Sequence, residues 1–301
     1  MKWLKRIGIV IAALLILACV AVGTIYAVTV NTWNRRYDVQ GKSLTIPTDP
    51  ASIARGQHLA SAVGKCVDCH ARDLGGAKFI DDPGLGLVVA SNLTTGKGGV
   101  IKLYDDAKLE LAIRHGVRVD GIGLRVMPSY EFQHLADEDV AAIIAYLRSV
   151  PPVDRELPET RLKLLARVLN VAGELPLFDA ARIDHSRSVA PAAMPPAVTK
   201  EYGEYQALVG GCIGCHGETL SGGKIPGTPP EWPPAANITP TGLAAYKEAD
   251  FTKLMRTGIR PAGTAVNEVM PWKFIKDLTD DEIKSIWLYL QTVPKKDFGG
   301  R

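Results

Sequence analysis

The pattern Cys-x-x-Cys-His occurs twice, as Cys66-Val67-Asp68-Cys69-His70 and Cys212-Ile213-Gly214-Cys215-His216. Its flanks repeat with it. Leu74-Gly75-Gly76 follows the first copy and Leu220-Ser221-Gly222-Gly223 the second. Asn92-Leu93-Thr94 matches Asn237-Ile238-Thr239, Arg114-His115-Gly116 matches Arg256-Thr257-Gly258, and Val126-Met127-Pro128 matches Val269-Met270-Pro271. A chain that repeats cysteines, turns and helix ends in one order holds one domain twice, rather than a single large core. Both Asn-x-Thr segments read as glycosylation sequons, but the repeat accounts for them better.

Each repeat ends in a helix. Val140, Ile143, Ile144 and Leu147 fall on one helical face, and Ile283, Ile286, Trp287 and Leu290 take the same places in the second copy. Thr279 and Glu282 form a capping box, Asp137 is placed to cap the first helix, and Pro151 and Pro294 stop both. No long alternating run appears, so little strand is expected. Each repeat reads as a helical bundle of roughly 100 residues with a thin core of its own, to which a buried prosthetic group would add apolar contact.

Cys-x-x-Cys-His is the attachment pattern of c-type haem. On one helical turn, two thiols reach the two vinyl groups and the adjacent imidazole meets the iron. A zinc half-site would need further soft ligands, and Cys19, the fifth cysteine, lies in an apolar run. A redox dithiol would sit in a βαβ pattern, which is absent. Cys66, Cys69, Cys212 and Cys215 are therefore expected to hold two haems covalently, with His70 and His216 on the irons. A distal ligand is found by comparing the repeats. Met127 and Met270 occupy equivalent places before proline, where the backbone is biased toward an extended form. Met255 aligns with Ile113 and reads as core, and Met194 lies in a proline-rich segment without a counterpart. His58, His185 and His134 read as surface or loop histidines, with His115 a neighbour of the first pocket.

Asn92-Leu93-Thr94, Asp106 to Gly121 and Val126 to Val153 resemble the multihaem cytochrome c subunit of bacterial alcohol, aldehyde and gluconate dehydrogenases. Both repeats, over residues 51–153 and 197–296, are similar to class I cytochrome c domains. The resemblance implies His/Met haems that pass electrons from a dehydrogenase toward quinone or an oxidase. Such subunits usually carry three haem domains and a short signal peptide; this chain shows two motifs and a long apolar start.

Ile7 to Val30 is 24 residues without a charge. As a helix it would span about 36 Å, enough for a hydrocarbon core of about 30 Å. Lys2, Lys5 and Arg6 precede it, which places that end in the cytoplasm and the rest on the periplasmic side of a bacterial inner membrane. A cleaved signal peptide competes with this, but its apolar region would be about 7–15 residues. Residues 1–50 hold six Lys/Arg against two Asp/Glu, and the rest of the chain is near neutral, so no nucleic-acid surface is expected.

The expected fold is mainly α: a transmembrane anchor and stalk (1–50), cytochrome c domain 1 (51–153), a linker (154–196) and domain 2 (197–301). Within the linker, Leu162, Leu165, Leu169 and Ala172 suggest an amphipathic helix between Pro158 and Phe178 that packs on one or both domains, and Ser186 to Pro196 reads as a semi-rigid tether. The expected role is electron transfer without a catalytic residue of its own. The donor would be a dehydrogenase and the acceptor quinone, an oxidase or a soluble cytochrome, with lipid around the anchor. A subunit of a terminal oxidase or other respiratory complex is the alternative. A dihaem peroxidase would need one displaceable distal ligand, and a gas-binding or sensory cytochrome would carry its motif at the end of its domain.

Overall fold

The computed structural model describes residues 2–229 and 231–301. Helix α1 (Lys2–Trp33) is 32 residues long and followed by an extended stalk. The first repeat comprises α2 (Pro50–His58), α3 (Cys66–His70), strands β1 (Ala77–Asp82) and β2 (Gly86–Ala90), α4 (Asp106–His115), α5 (Ser129–Phe132) and α6 (Asp137–Ser149). A connecting segment holds β3 (Arg161–Leu162) and α7 (Leu164–Val171). The second repeat comprises α8 (Lys200–Val209), α9 (Cys212–His216), α10 (Glu248–Thr257), α11 (Trp272–Ile275) and α12 (Asp280–Leu290). The architecture is mainly helical, as expected.

Helix α1 stands clear of the rest: none of its 18-residue apolar window is buried. By length and composition it is able to cross a membrane, as an anchor or as a signal sequence. Among the described residues, its buried positions are Thr29 and Trp33, in its last turns. Trp33 packs with Leu177 and Phe178, and Val126 borders the same cluster.

In each repeat the first helix crosses the last at a glycine. A Cβ on Gly56 would strike the Ala142 carbonyl of α6, and one on Gly203 the Ser285 carbonyl of α12. Only glycine lets two backbones approach this closely. The predicted helix faces form the core: Val140, Ile143, Ile144 and Leu147 are buried, as are Ile283, Ile286 and Leu290. Trp287 is half-buried and packs on Phe251, with ring centroids 5.5 Å apart. The first repeat has one more residue between that glycine and its motif, and a single π-helical turn, Leu59–Val63, absorbs it.

The Thr279–Glu282 capping box is present on α12. Asp137 does not cap α6. The N-cap position is Ala136, which has no side-chain acceptor, and Asp137 instead pairs with Lys42 and Arg114. The connecting segment supplies the missing acceptors: the N–H groups of Asp137 and Glu138 donate to the Pro191 and Ala192 carbonyls, at 3.1 and 3.2 Å. The supposed tether is therefore also a cap.

The structure holds more strand than the sequence suggested, a three-stranded antiparallel sheet in the order β1-β2-β3. Asp82 turns the hairpin by accepting from the N–H groups of Gly84 and Leu85. The linker helix is shorter than expected. Leu162 pairs with β2 as strand, and α7 packs on the end of α1.

Candidate haem-binding sites

Helices α3 and α9 are single turns entered through left-handed backbone, Lys65 at φ 51° and Gly211 at φ 68°. Each carries two free thiols one turn apart. The chain then folds back so that the N–H of Gly76 donates to the His70 carbonyl, and that of Gly222 to His216, both at 2.8 Å. This return places a backbone carbonyl against each imidazole. His70 Nδ1–H donates to the Ser91 carbonyl and His216 Nδ1–H to that of Ala236, both at 2.7 Å. A carbonyl only accepts, so the proton is on Nδ1 and Nε2 keeps its lone pair for a metal.

The paired Asn-x-Thr segments hold those carbonyls in place. Asn92 Oδ1 accepts from the Thr94 N–H and hydroxyl, while its amide donates to the Val153 carbonyl at 2.7 Å. Asn237 does the same with Thr239 and with the Lys296 carbonyl at 2.8 Å. Asn92 is 1% exposed, which suits a clamp and not a glycan.

Burial pushes the Cys66 thiol up to about 11 and the Cys69 thiol to about 12, the latter helped by Asp68. It raises Cys212 and Cys215 and lowers both imidazoles. These are neutral thiols beside neutral imidazoles at pH 7. Among the described residues, no group of three or more His, Cys, Asp or Glu is placed to hold a metal ion. Two thiols on one turn, an imidazole with its tautomer fixed and a bed of apolar side chains fit a covalently bound haem.

Met127 and Met270 both lie half-buried against the shared core. Their backbones match: the Ser129 N–H donates to the Met127 carbonyl and the Trp272 N–H to that of Met270, both at 2.8 Å. The residues before them differ. Val126 sits at φ 61° with its N–H on the Leu177 carbonyl. A β-branched residue there carries strain of about 1–3 kcal/mol. Met255 and Ile113 are buried core, and Met194 lies half-buried against it. His115 meets His185, Nδ1 to Nδ1 at 3.0 Å, beside a cavity of about 110 Å³ lined by Lys42 and Glu110. Burial, then His185, pushes His115 down to about 4.

Sequence reading missed the junction between the repeats, which has approximate two-fold character. Asp139 on α6 and Glu282 on α12 are equivalent carboxylates, each 2% exposed. Each receives one side-chain donor from its own repeat and one from the other. Arg55 donates to Asp139 at 2.7 and 3.0 Å, and the Tyr205 hydroxyl joins it from the second repeat at 2.6 Å. Tyr202 donates to Glu282 at 3.3 Å, and His58 Nε2 joins it from the first repeat at 2.8 Å. His58 is thus an interface residue rather than a loop histidine. Nearer the motifs, Lys65 reaches across to donate to the Gly210 carbonyl at 2.6 Å. Residue 65 immediately precedes the first motif turn and residue 210 lies two before the second, so both attachment helices open at this junction. Met127 and Glu131 of the first repeat and Gly214 of α9 line one cavity of about 390 Å³.

The cytochrome c family model matches residues 53–151 and 203–294, one match on each repeat. The chain is 29% identical to the fructose dehydrogenase cytochrome subunit of Gluconobacter japonicus over 290 residues, covering 85% of this chain. It is 27% identical over 279 residues to the cytochrome c subunit of the quinone alcohol dehydrogenase of Komagataeibacter europaeus, covering 83%. A shorter match, 33% over 94 residues, links 29% of it to the gluconate 2-dehydrogenase cytochrome c subunit of Pantoea cypripedii, 21% of which is covered. It spans 57% and 58% of the first two relatives, less than two thirds of either. With the family model matched on both repeats, over more than half its length, the chain belongs to the cytochrome c family.

Proposed function

We propose that this chain is a membrane-anchored dihaem cytochrome that relays electrons from a dehydrogenase toward the respiratory chain. One haem would be held by Cys66 and Cys69 with His70 and Met127 as axial ligands, the other by Cys212 and Cys215 with His216 and Met270. When bound, each haem supplies a one-electron ferric/ferrous couple in a protein-tuned environment. The chain's own residues do the rest. Ser91 and Ala236 fix the imidazoles, Val126 holds the Met127 loop against Leu177, and the core excludes water. The repeats act as two haem domains, over 51–153 and 197–301, joined by 154–196.

The observation that carries the relay is the Lys65–Gly210 bond at 2.6 Å, which sets the two attachment turns side by side. A pair of adjoining haem sites suits short hops from donor to acceptor. Helix α1 is read as an uncleaved inner-membrane span with the repeats in the periplasm, beside quinone and oxidases. The named functions of the relatives support a dehydrogenase as donor.

The test is reduction of the purified, membrane-reconstituted protein by candidate periplasmic dehydrogenases, with peroxide turnover measured alongside. Reduction of two haems per chain by one dehydrogenase, without peroxide turnover, is the expected result. Catalytic peroxide reduction, or indifference to every dehydrogenase, would overturn it.

A further inference from the structure

Helix α7 carries a half-exposed apolar face, with only Gly84 of the β1–β2 turn seen close to Leu165 on it among the described residues. Leu164, Leu165, Val168 and Val171 follow one another at i, i+1, i+4 and i+7 and are 37–48% exposed. Its opposite side is tied to the end of α1. Ala166 is buried, and Arg167 donates to the Thr29 hydroxyl at 2.8 Å while lying over the rings of Tyr26 and Trp33. Thr29 is the penultimate residue of the uncharged run Ile7 to Val30. At 1.5 Å per residue, Thr29 lies about 33 Å along the helix from Ile7, one hydrocarbon thickness away. Helix α7 is therefore pinned where α1 leaves the bilayer.

The same place collects positive charge that no ion pair neutralises, with Asp120 and Glu159 near enough to Arg125 to offset only part of it. Arg125 lies over Trp33 from the loop before Met127. Burial, then Arg118 and Arg167, lowers its basicity. Among the described residues neither Arg125 nor Arg167 has a carboxylate within ion-pair distance. Arg125 Nε, Arg167 Nε and Trp33 Nε1 are buried donors lacking an acceptor among the described residues. Buried donors and like charges this close call for an anion.

We propose that α7 is a second membrane contact. It lies in the interface of the leaflet that α1 exits, its apolar face among acyl chains and Arg125 and Arg167 on phospholipid phosphates. The occupant is lipid because the apolar face, the unpaired guanidiniums and the apolar span meet at one depth. This surface holds the first repeat at a set angle to the bilayer, since Trp33, Val126 and Leu177 lock α1 to it. The proposal rests on α1 being a membrane span.

The test is photolabelling of the full-length holoprotein in proteoliposomes, with a phospholipid bearing a carbene precursor on its acyl chain and peptides read by mass spectrometry. Labels are expected on the peptide 164–171 as well as on α1. Leu165→Glu with Val168→Glu should cut labelling of 164–171 at least fivefold while α1 labelling is unchanged. Arg125→Gln should lower the number of phospholipids retained by the detergent-purified protein in native mass spectrometry. Labelled α1 with α7 no more labelled than the exposed C-terminal peptide would overturn the proposal and leave the anchor standing. Unlabelled α1 would overturn the anchor itself. Loss of retained lipid equal in Arg125→Gln and in the surface control Lys284→Gln, exposed on α12 of the second repeat, would remove the phosphate site.

Discussion

Replacing Tyr205 with phenylalanine removes one oxygen from the junction between the repeats. That hydroxyl donates to Asp139 at 2.6 Å and accepts from the Ala136 N–H at 3.0 Å, on a side chain that is 4% exposed. Asp139 keeps Arg55, so its loss is one charged hydrogen bond, worth about 1.5–3 kcal/mol. Ala136 is then left with a buried N–H and no acceptor, which costs about 1–3 kcal/mol alone. The two overlap, and a net loss of about 2–4 kcal/mol is expected. Tyr202→Phe is the internal control. Its hydroxyl sits at 3.3 Å from Glu282, which retains His58 and the Thr279 N–H, so about 0.5–1 kcal/mol is expected. Urea unfolding of the haem-loaded protein followed by circular dichroism ranks the two variants. Equal losses, or a Tyr205→Phe loss below about 0.5 kcal/mol, would refute the shared-carboxylate account.

Met127→Ala and Met270→Ala should each remove half of the near-infrared methionine–ferric charge-transfer band and lower one reduction potential, because thioether sulfur favours the ferrous state; a band unchanged by both would place the ligands elsewhere. Burial raises the Glu282 carboxyl, but the bonds from His58 and Thr279 hold it, on balance, below its ordinary 4.5. Its folded value lies below its unfolded one, so its contribution is present above pH 4.5 and lost as pH falls through the folded value. The urea midpoint should drop less steeply below pH 4.5 in Glu282→Gln than in the wild type, and parallel curves would contradict this. Gly56→Ala should cost about 1–3 kcal/mol by forcing α2 off α6. Gly8→Ala, whose added methyl meets nothing within 4 Å, should cost nothing measurable by the same unfolding assay.

What the sequence made legible was local and repeated. The motif turns, the α12 capping box and the terminal helix faces depend on residues within a few positions of each other. The Asn-x-Thr repeats were visible as a pattern, but their role was not, because their partners at Val153 and Lys296 lie about 60 residues away. Asp137 looked like a cap because its acceptor competitors, the Pro191 and Ala192 carbonyls, are backbone and carry no sequence signature. The hairpin of β1 and β2 was overlooked because Ala77 to Asp82 shows no clean alternation. The helix expected from Leu162, Leu165, Leu169 and Ala172 is present but starts later than that spacing implies, since Leu162 is strand, and its exposed apolar positions are Leu164, Leu165, Val168 and Val171. Lys65 and Tyr205 carry no sequence signal, and His58 reads as a surface or loop histidine, because an interface between two copies of one domain joins residues that never align with each other.

The relay through adjoining sites is tested most directly by injecting less than one electron per molecule into purified Met127→Ala protein and following both haem spectra in time. The altered ligand makes the first site spectrally distinct and lowers its potential. The account predicts that electrons captured at the first site move to the second at a rate independent of protein concentration. Lys65→Met, which removes the bond to Gly210, should slow that step. Transfer seen only as a concentration-dependent process between molecules, or a protein with a single haem signal, would contradict it.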